Sequence, residues 1–252
     1  MPTPLLNGWT VLSLRPRGQH ASLRAASARA GARLLALSPQ AIEMRCDAEA
    51  ALDAALTCDL LLFTSPNAVR AASALRTFKP RRGQPWLAVG EGTRRALSRI
   101  GIDAHSPTRM DSEGLLAMPQ LQAIAGKRIG LVTAPGGRGA LAPALQKRGA
   151  QVLRADVYAR VPVTVPPQAW VRLQEALATP NKTLLMLSSA EALHALLAQA
   201  PASLHARLHR VAVVAASGRL AQAAREAGFR RIVTATDARP ASLLRAAIDT
   251  FV

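Results

Sequence analysis

One strand-turn-helix pattern occurs twice in the chain, and it constrains the fold more than any other feature of the sequence. Residues 60–72, LLLFTSPNAVRAA, begin as an apolar run of strand length, turn at Thr64-Ser65-Pro66-Asn67 and continue with apolar residues at helical spacing. Residues 184–196, LLMLSSAEALHAL, repeat this arrangement with Ser188-Ser189 at the turn. Small hydroxyl and amide side chains at such a turn favour a helix N-terminus, where backbone N–H groups can hold an anion.

The two turns therefore supply the first candidate ligand contacts. We expect Asn67 to cap the first of these helices and Ala68 to take its first helical position, with the Ala68 N–H available to a bound anion. The candidate binding residues at the two turns are Thr64, Ser65, Asn67, Ala68, Ser188 and Ser189. The alternative is that these side chains only cap their helices.

Apolar strand-length runs alternate with amphipathic segments along the whole chain, which predicts an α/β fold with parallel sheets. Residues 127–161 follow the same plan as residues 10–45, and residues 211–236 follow that of residues 86–105. An internal duplication of about half the chain is therefore predicted, with a period far above the roughly 20 to 50 residues of linear repeat proteins. Linkers are expected near Ser38-Pro39 and Val161, because proline favours an extended departure from the preceding element.

Composition limits the kind of protein this is. The chain has 252 residues, of which 50% are hydrophobic and 19% charged, enough to bury a sizeable core. No apolar run approaches the roughly 20 residues of a membrane span, and the N-terminal residues lack the layout of a signal peptide. Cys46 and Cys58 lie outside any CxxC spacing, which argues against a disulfide framework or structural zinc. We expect a cytoplasmic protein without a membrane partner.

The formal net charge of +17 predicts attraction to polyanions. Only 3% of the residues are aromatic, and no arginine–aromatic interleaving of the kind that stacks bases is present. A small acidic ligand is therefore favoured over nucleic acid. Compositional bias toward arginine is the alternative explanation of the charge.

Several further residues are candidates for binding that ligand. Arg15 and Arg138 follow equivalent predicted strands of the two copies, and a guanidinium can bind a carboxylate through two hydrogen bonds. Gly136 and Gly137 form a turn beside Arg138, but no Gly-Lys-Ser/Thr follows, so a phosphate loop is not indicated. His205 and His209 have helical i, i+4 spacing, yet no third ligand lies near them, and no metal site is predicted.

Short turns along nearly the whole chain carry a resemblance to a known family: Leu14-Arg15-Pro16, Phe63-Thr64-Ser65-Pro66-Asn67-Ala68-Val69, Val89-Gly90-Glu91-Gly92-Thr93, Ser112-Glu113-Gly114-Leu115-Leu116, Asp156-Val157-Tyr158 and Ser188-Ser189. In this order and spacing they resemble uroporphyrinogen-III synthases. The resemblance implies two flavodoxin-like α/β lobes, each a parallel sheet flanked by helices, joined by a two-stranded connector, with the active site in the cleft. One lobe is then discontinuous, residues 1–37 with 162–252, and the other comprises residues 38–161.

The resemblance also implies a function. Enzymes of this family close linear hydroxymethylbilane to uroporphyrinogen III, losing water and inverting ring D, without a cofactor. Tyr158 matches the family's candidate for assisting departure of the hydroxyl group; the alternative is that it is a boundary aromatic residue that packs against the linker. Gly90 and Thr93 match a substrate-binding turn. Ser217 stands near a helix start where family members often carry threonine. The chain is expected to act as a monomer; the alternative is a non-catalytic bilobed binding protein for an acidic ligand.

Overall fold

The computed structural model describes residues 5–109, 112–136 and 139–252. The described residues form two compact units, the first made of residues 5–41 with 161–252 and the second of residues 42–160. Each unit contains a parallel sheet with helices packed on it, so the predicted α/β class is confirmed.

The strands are short, as expected from the lengths of the apolar runs. Those in the described part of the chain are β1 (Thr10–Ser13), β2 (Arg33–Ala36), β3 (Gln40–Met44), β4 (Leu60–Phe63), β5 (Trp86–Ala88), β6 (Arg128–Thr133), β7 (Gln151–Asp156), β8 (Tyr158–Pro162), β9 (Thr183–Leu187), β10 (Ala212–Ala215) and β11 (Ile232–Thr234).

Helices connect the parallel strands, because a parallel pair needs a crossover that passes over the sheet. The described helices are α1 (Ala21–Arg29), α2 (Glu49–Leu56), α3 (Pro66–Leu75), α4 (Glu91–Ser98), α5 (Ser112–Leu116), α6 (Leu141–Lys147), α7 (Pro167–Ala176), α8 (Ala190–Gln199), α9 (Ala202–Leu208), α10 (Gly218–Glu226) and α11 (Pro240–Phe251). Among them, none is both long and apolar enough to cross a membrane.

The sheet of the first unit has the order β11-β10-β9-β1-β2, and its neighbouring strands run parallel. Strand β1 is central: Thr10 is in register with Arg33 of β2 on one side and with Thr183 of β9 on the other. All four residues of β1 are buried, as is usual for a parallel strand covered on both faces. The sheet therefore joins the two ends of the chain into one unit.

The sheet of the second unit has the order β5-β4-β6-β7, again with parallel neighbours. The sequence pattern of residues 103–106 predicts a short strand, and the structure reduces it to a single parallel bridge between His105 and Leu87 of β5. The two sheets thus use corresponding segments in the same order, with β1, β9 and β10 in the places of β6, β4 and β5. This common order supports the internal duplication.

Between the units, the chain passes through a two-stranded sheet of β3 and β8. The Arg45 N–H donates to Val157 O at 3.0 Å, and the Val163 N–H donates to Pro39 O at 2.9 Å, so the strands run in opposite directions. This sheet is the connector implied by the resemblance.

Alternate residues of each strand enter apolar layers on opposite faces of the sheet. In β9, Leu185 and Leu187 pack on one side, whereas Leu184 and Met186 pack on the other. The second unit also has two apolar clusters, one of them containing Phe63. Helices on both faces leave the carboxyl ends of the strands as the edge at which polar residues collect.

Candidate functional site

The carboxyl ends of four parallel strands lie along one edge of the second unit's sheet. Candidate residues follow each of these ends: Thr64 and Ser65 after β4, Gly90 after β5, Gly136 after β6 and Tyr158 after β7. Open parallel sheets bind ligands at this edge. We call this row of loops the carboxyl edge of the second unit.

Ser65 is the N-cap of α3. Its backbone is extended, with φ −160° and ψ 159°, and its Oγ accepts the Ala68 N–H at 3.1 Å. Pro66 takes the first helical position, where its fixed φ suits the helix. The predicted helix start, with Asn67 as cap and Ala68 first, was therefore wrong by two residues. Ala68 is fully buried, and a role for its N–H in holding substrate stays a prediction.

The ring of Tyr158 is only 1% exposed and belongs to the apolar cluster that includes Phe63 and Val69. Its hydroxyl oxygen lies 3.0 Å from Ser65 Oγ. Arg160 Nη2 makes a long contact of 3.5 Å to the same oxygen, and the guanidinium carbon lies 5.8 Å from the ring centroid. The phenol is therefore covered, with a serine hydroxyl on one side and a cation nearby.

Thr64 and Asn67 flank Ser65 and make local contacts. Thr64 Oγ1 donates to Thr133 Oγ1 at 2.8 Å, which joins the ends of β4 and β6. Arg70 donates a hydrogen bond to the side chain of Asn67 within the first turns of α3. Both side chains thus hold the loop in place, and their contact with a ligand stays a prediction.

Gly90 is the N-cap of α4, and its carbonyl accepts the N–H groups of Thr93 at 2.9 Å and Arg94 at 3.0 Å. The Thr93 side chain is buried, with only 4% exposure. Hydrogen bonds from Arg94 and then Arg95 lower the pKa of Glu91 to about 2. Two cations thus surround one carboxylate at the start of α4, which leaves a net positive charge there.

Gly136 occupies the turn after β6 with φ +69°, the left-handed region that favours glycine. Among the described residues outside its chain neighbours, no atom lies within 4 Å of where a side chain would begin. Gly137 and Arg138, the other candidate residues of this turn, lie outside the described residues.

Arg154 and Asp156 at the end of β7 were missed by the sequence reasoning. Arg154 Nε donates to the Asp156 carboxylate at 2.9 Å, and Nη2 donates to Ala134 O at 2.7 Å. The pair ties β7 to the loop after β6. The available signal was the i, i+2 spacing of opposite charges, which places both side chains on one face of a strand.

The first unit has a corresponding edge, formed by the loops that follow the carboxyl ends of its strands. Arg15 lies there, in the loop after β1. Its guanidinium donates to Ala238 O at 3.3 Å, in the loop after β11. Arg15 is half-buried, and among the described residues no carboxylate pairs with it. Burial lowers the pKa of the guanidinium from its usual range. A partly desolvated cation of this kind can bind a carboxylate.

Two serines at this edge cap helices as Ser65 does. Ser189 accepts the Ala192 N–H at 3.1 Å and donates to Glu191 at 2.7 Å, whereas Ser217 accepts the Leu220 N–H at 3.4 Å. Ser188 is exposed beside them. Capping accounts for the placement of Ser189 and Ser217, and contact with a ligand stays a prediction for all three.

His20 is a third residue that the sequence reasoning missed. Its Nδ1 lies 2.9 Å from Ser13 Oγ, and its Nε2 lies 2.7 Å from Ser38 Oγ. Burial, followed by the charges of Arg24 and Arg15, lowers the pKa of the imidazole. Ser13 is fully buried, so the pair of His20 with Ser13 cannot present a nucleophile. No sequence signal singled out His20, because its partners are ordinary serines at strand ends.

Residues 21–245 match the family model described as Uroporphyrinogen-III synthase HemD. The chain belongs to the uroporphyrinogen-III synthase family. The uroporphyrinogen-III synthase of Salmonella typhimurium is 35% identical over 199 residues, which cover 75% of this chain and 78% of that protein. The chain is thus a lyase of tetrapyrrole biosynthesis, as the sequence resemblance predicted.

Solved structures of uroporphyrinogen-III synthases share the fold. A mutant form from Thermus thermophilus has a TM-score of 0.59 and 26% identity over 94% of this chain and 96% of its own. The Helicobacter pylori protein has a TM-score of 0.61 and covers 96% of this chain and 99% of its own, with 15% identity. The predicted two-lobed fold is confirmed.

Proposed function

We propose that this uroporphyrinogen-III synthase family member closes hydroxymethylbilane to uroporphyrinogen III, with loss of water and inversion of ring D. Family membership supports the reaction. The observation that carries the assignment of the site is the 3.0 Å contact between the Tyr158 hydroxyl and Ser65 at the carboxyl edge of the second unit. This contact supports the assignment, because both residues follow the carboxyl ends of parallel strands, and open parallel sheets bind ligands at such ends.

The substrate is flexible and bears eight carboxylates, so the protein must fold it and balance its charge. Positioning by many anion contacts therefore matters more than one strong catalyst. The net charge of +17 and the half-buried Arg15 suit this task. The residues proposed to bind substrate are Arg15, Thr64, Ser65, Asn67, Ala68, Gly90, Thr93, Gly136, Gly137, Arg138, Ser188, Ser189 and Ser217.

Tyr158 is proposed to supply the proton that lets the terminal hydroxyl depart as water. Tyr158 is the only tyrosine in the sequence. The carbocation left when water departs is then attacked by ring D, and closure through a spirocyclic pyrrolenine inverts that ring. Positioned acid catalysis of this kind typically contributes about 10² to 10⁴-fold to a rate.

We further propose that the protein works as a monomer in the cytoplasm, without nucleic-acid or membrane partners. The low aromatic content, 3%, supports the first of these exclusions, because single-stranded nucleic acid is usually bound by stacking on aromatic rings. Light scattering, which gives the molar mass in solution, will test whether the protein is a monomer. Binding to duplex and single-stranded nucleic acid, measured over a range of salt concentrations, will test whether nucleic acid is excluded as a partner.

Supplying hydroxymethylbilane and separating the isomers of the product tests the reaction. Spontaneous closure without inversion gives the type I isomer, so a reaction without protein is the control. We expect type III from the intact chain. Folded protein that binds hydroxymethylbilane but yields only type I would contradict the proposal and would indicate a non-catalytic binding protein.

A further inference from the structure

The covered position of Tyr158 raises the question of how its proton reaches the substrate. The residue is 1% exposed, whereas Ser65, which lies 3.0 Å from the phenol oxygen, is half-exposed at the carboxyl edge. We propose that Ser65 touches the departing hydroxyl and passes on the proton of Tyr158 in a two-proton relay. The inference rests on the proposed function of Tyr158 as the acid.

The hydrogen bonds of Ser65 leave its own proton for the substrate. A serine hydroxyl has one donor and two acceptor positions. Ser65 Oγ accepts the Ala68 N–H at 3.1 Å, and the Tyr158 hydroxyl lies 3.0 Å away, where either oxygen can be the donor. The relay requires the phenol to donate, which fills the second acceptor position of Ser65. The serine O–H then points away from both partners.

The neighbouring Thr64 is not equivalent. Its Oγ1 already donates its proton to Thr133 Oγ1 at 2.8 Å. Of the two hydroxyls that directly follow β4, Ser65 is therefore the one whose proton can go to the ligand.

The relay balances protons and electrons. The C–O bond of the terminal hydroxymethyl group breaks, its electron pair stays on oxygen, and that oxygen takes the Ser65 proton and leaves as water. Ser65 takes the proton of Tyr158, so the phenol becomes a phenolate and the bilane a cation. When ring D becomes a pyrrole again at the end of ring closure it releases a proton, and that proton returns through Ser65 to the phenolate.

Arg160 lies where the phenolate would need a positive charge. Its Nη2 is 3.5 Å from the phenol oxygen, and its guanidinium carbon is 5.8 Å from the ring centroid. A guanidinium at this distance attracts negative charge that develops on the phenol oxygen. Arg160 is thus a positioning residue that stabilises the Tyr158 anion and does not contact the reacting atoms.

Turnover of Ser65 and Tyr158 variants tests the relay. We expect Ser65→Asn, which keeps a capping oxygen but has no hydroxyl, to lower kcat about 10²-fold. Tyr158→Phe should show a similar loss, and the double variant should lose no more than either single one, because both act on one proton path. Ser65→Thr should restore most of the rate. Additive losses, or wild-type turnover in Ser65→Asn, would overturn the relay.

The solvent isotope effect separates a relay from a structural role of Ser65. The rate of the wild type is measured in mixtures of H₂O and D₂O and plotted against the fraction of D₂O. This plot should be a curve that bows downward, since two protons move together. In Tyr158→Phe the curve should become linear, because only the Ser65 proton then moves. A linear curve for the wild type would also overturn the relay.

Failure of the relay can be told from failure of the proposed function. If the intact chain makes no type III isomer, the proposed function fails. If it makes type III, and Tyr158→Phe is slow while Ser65→Asn is not, Tyr158 remains the acid and the relay fails.

Thermal unfolding of Ser189→Ala, which loses the equivalent 3.1 Å cap on α8, measures what cap loss alone does to stability.

Discussion

At the scale of single residues, Arg15 and Arg17 provide a matched pair for testing anion binding. Both carry one positive charge in the loop after β1, but Arg15 is half-buried and bonded to Ala238 O, whereas Arg17 is exposed. A charge-assisted hydrogen bond to a substrate carboxylate contributes roughly 1.5 to 3 kcal/mol. We expect Arg15→Gln to raise the KM for hydroxymethylbilane by about one to two decades.

Arg17→Gln is the control, because it removes the same net charge from the same loop. We expect its KM to change little, as exposed charges are screened by salt. Melting temperatures of both variants will show whether the fold is kept. Equal KM values in the two variants would mean that Arg15 acts only through the overall charge.

His20 should make stability depend on pH. Its pKa in the folded chain is lowered below the ordinary 6.5, mainly by burial. Below about pH 6.5 the unfolded chain therefore binds more protons than the folded one, and the free energy of unfolding falls as pH falls. In urea unfolding at pH 7.5 and pH 5.5, we expect a smaller decrease for His20→Gln than for the wild type.

Between pH 5.5 and pH 7.5, titration of carboxylates contributes little to the change in the free energy of unfolding. Glu91, for example, has a pKa lowered from 4.5 to about 2, so its contribution is lost only at pH values below about 4.5. Parallel pH dependences of the wild type and His20→Gln would show that His20 does not contribute.

Residues whose contacts are local in sequence were located well from the sequence, whereas residues whose contacts join distant positions were not. Thr64 and Ser65 were placed at a helix start because capping depends on neighbouring residues. The start itself was misplaced because Ser65 and Asn67 are both good caps, and Pro66 between them decides in favour of Ser65. The contact of Ser65 with Tyr158 joins positions 93 residues apart, and no local pattern reports it.

At the scale of elements, the packing of α2 on β6 depends on Gly130. A methyl group there would overlap the Ala55 carbonyl oxygen and lie 2.6 Å from Leu61 Cδ2. Because Ala55 O is backbone, the helix would have to move. We expect Gly130→Ala to lower the free energy of unfolding by about 1 to 3 kcal/mol, the usual cost of overpacking a core.

Gly218→Ala is the control for Gly130→Ala. No atom lies within 4 Å of a side chain added at Gly218, the first residue of α10. Its unfolding midpoint in urea should stay close to that of the wild type. If both variants unfold at the wild-type midpoint, the contact of α2 with β6 is looser than the distances indicate.

Strands and helices were predictable wherever an element carries its own hydrophobic pattern. β4 is apolar at every position and β9 is apolar after Thr183, and both strands were placed correctly to within one residue. The strand expected around His105 is reduced to one bridge, because its only partner is the three-residue strand β5. From the residues alone, β3 is a linker after Ser38-Pro39, since its pairing with β8 depends on residues more than 100 positions away.

At the scale of the whole molecule, the duplication explains why the two sheets have the same strand order. It does not explain which strands share a sheet: β1 lies between β2 and β9, although β4 is much nearer to β1 in the chain than β9 is. Local patterns in the sequence are compatible with both organisations, and the resemblance to a family decided between them. The boundaries at residues 37/38 and 161/162 stay a prediction.

Excised fragments would test these boundaries. Residues 38–161 include every strand of the sheet β5-β4-β6-β7 and the apolar clusters on its two faces, so we propose that this fragment folds alone. Residues 162–252 contain β9, β10 and β11 but lack β1, whose buried residues pair with β9. Without β1, the apolar residues of both layers and one edge of β9 would be exposed to water.

We therefore expect residues 38–161 to show a cooperative urea transition by circular dichroism, and residues 162–252 to show none. Adding a peptide of residues 1–37 to the second fragment is the matched test, since it restores β1 and β2. A gain of structure on mixing would show that the N-terminal segment completes this sheet. Cooperative unfolding of residues 162–252 alone, or the absence of a transition in residues 38–161, would contradict the proposed boundaries.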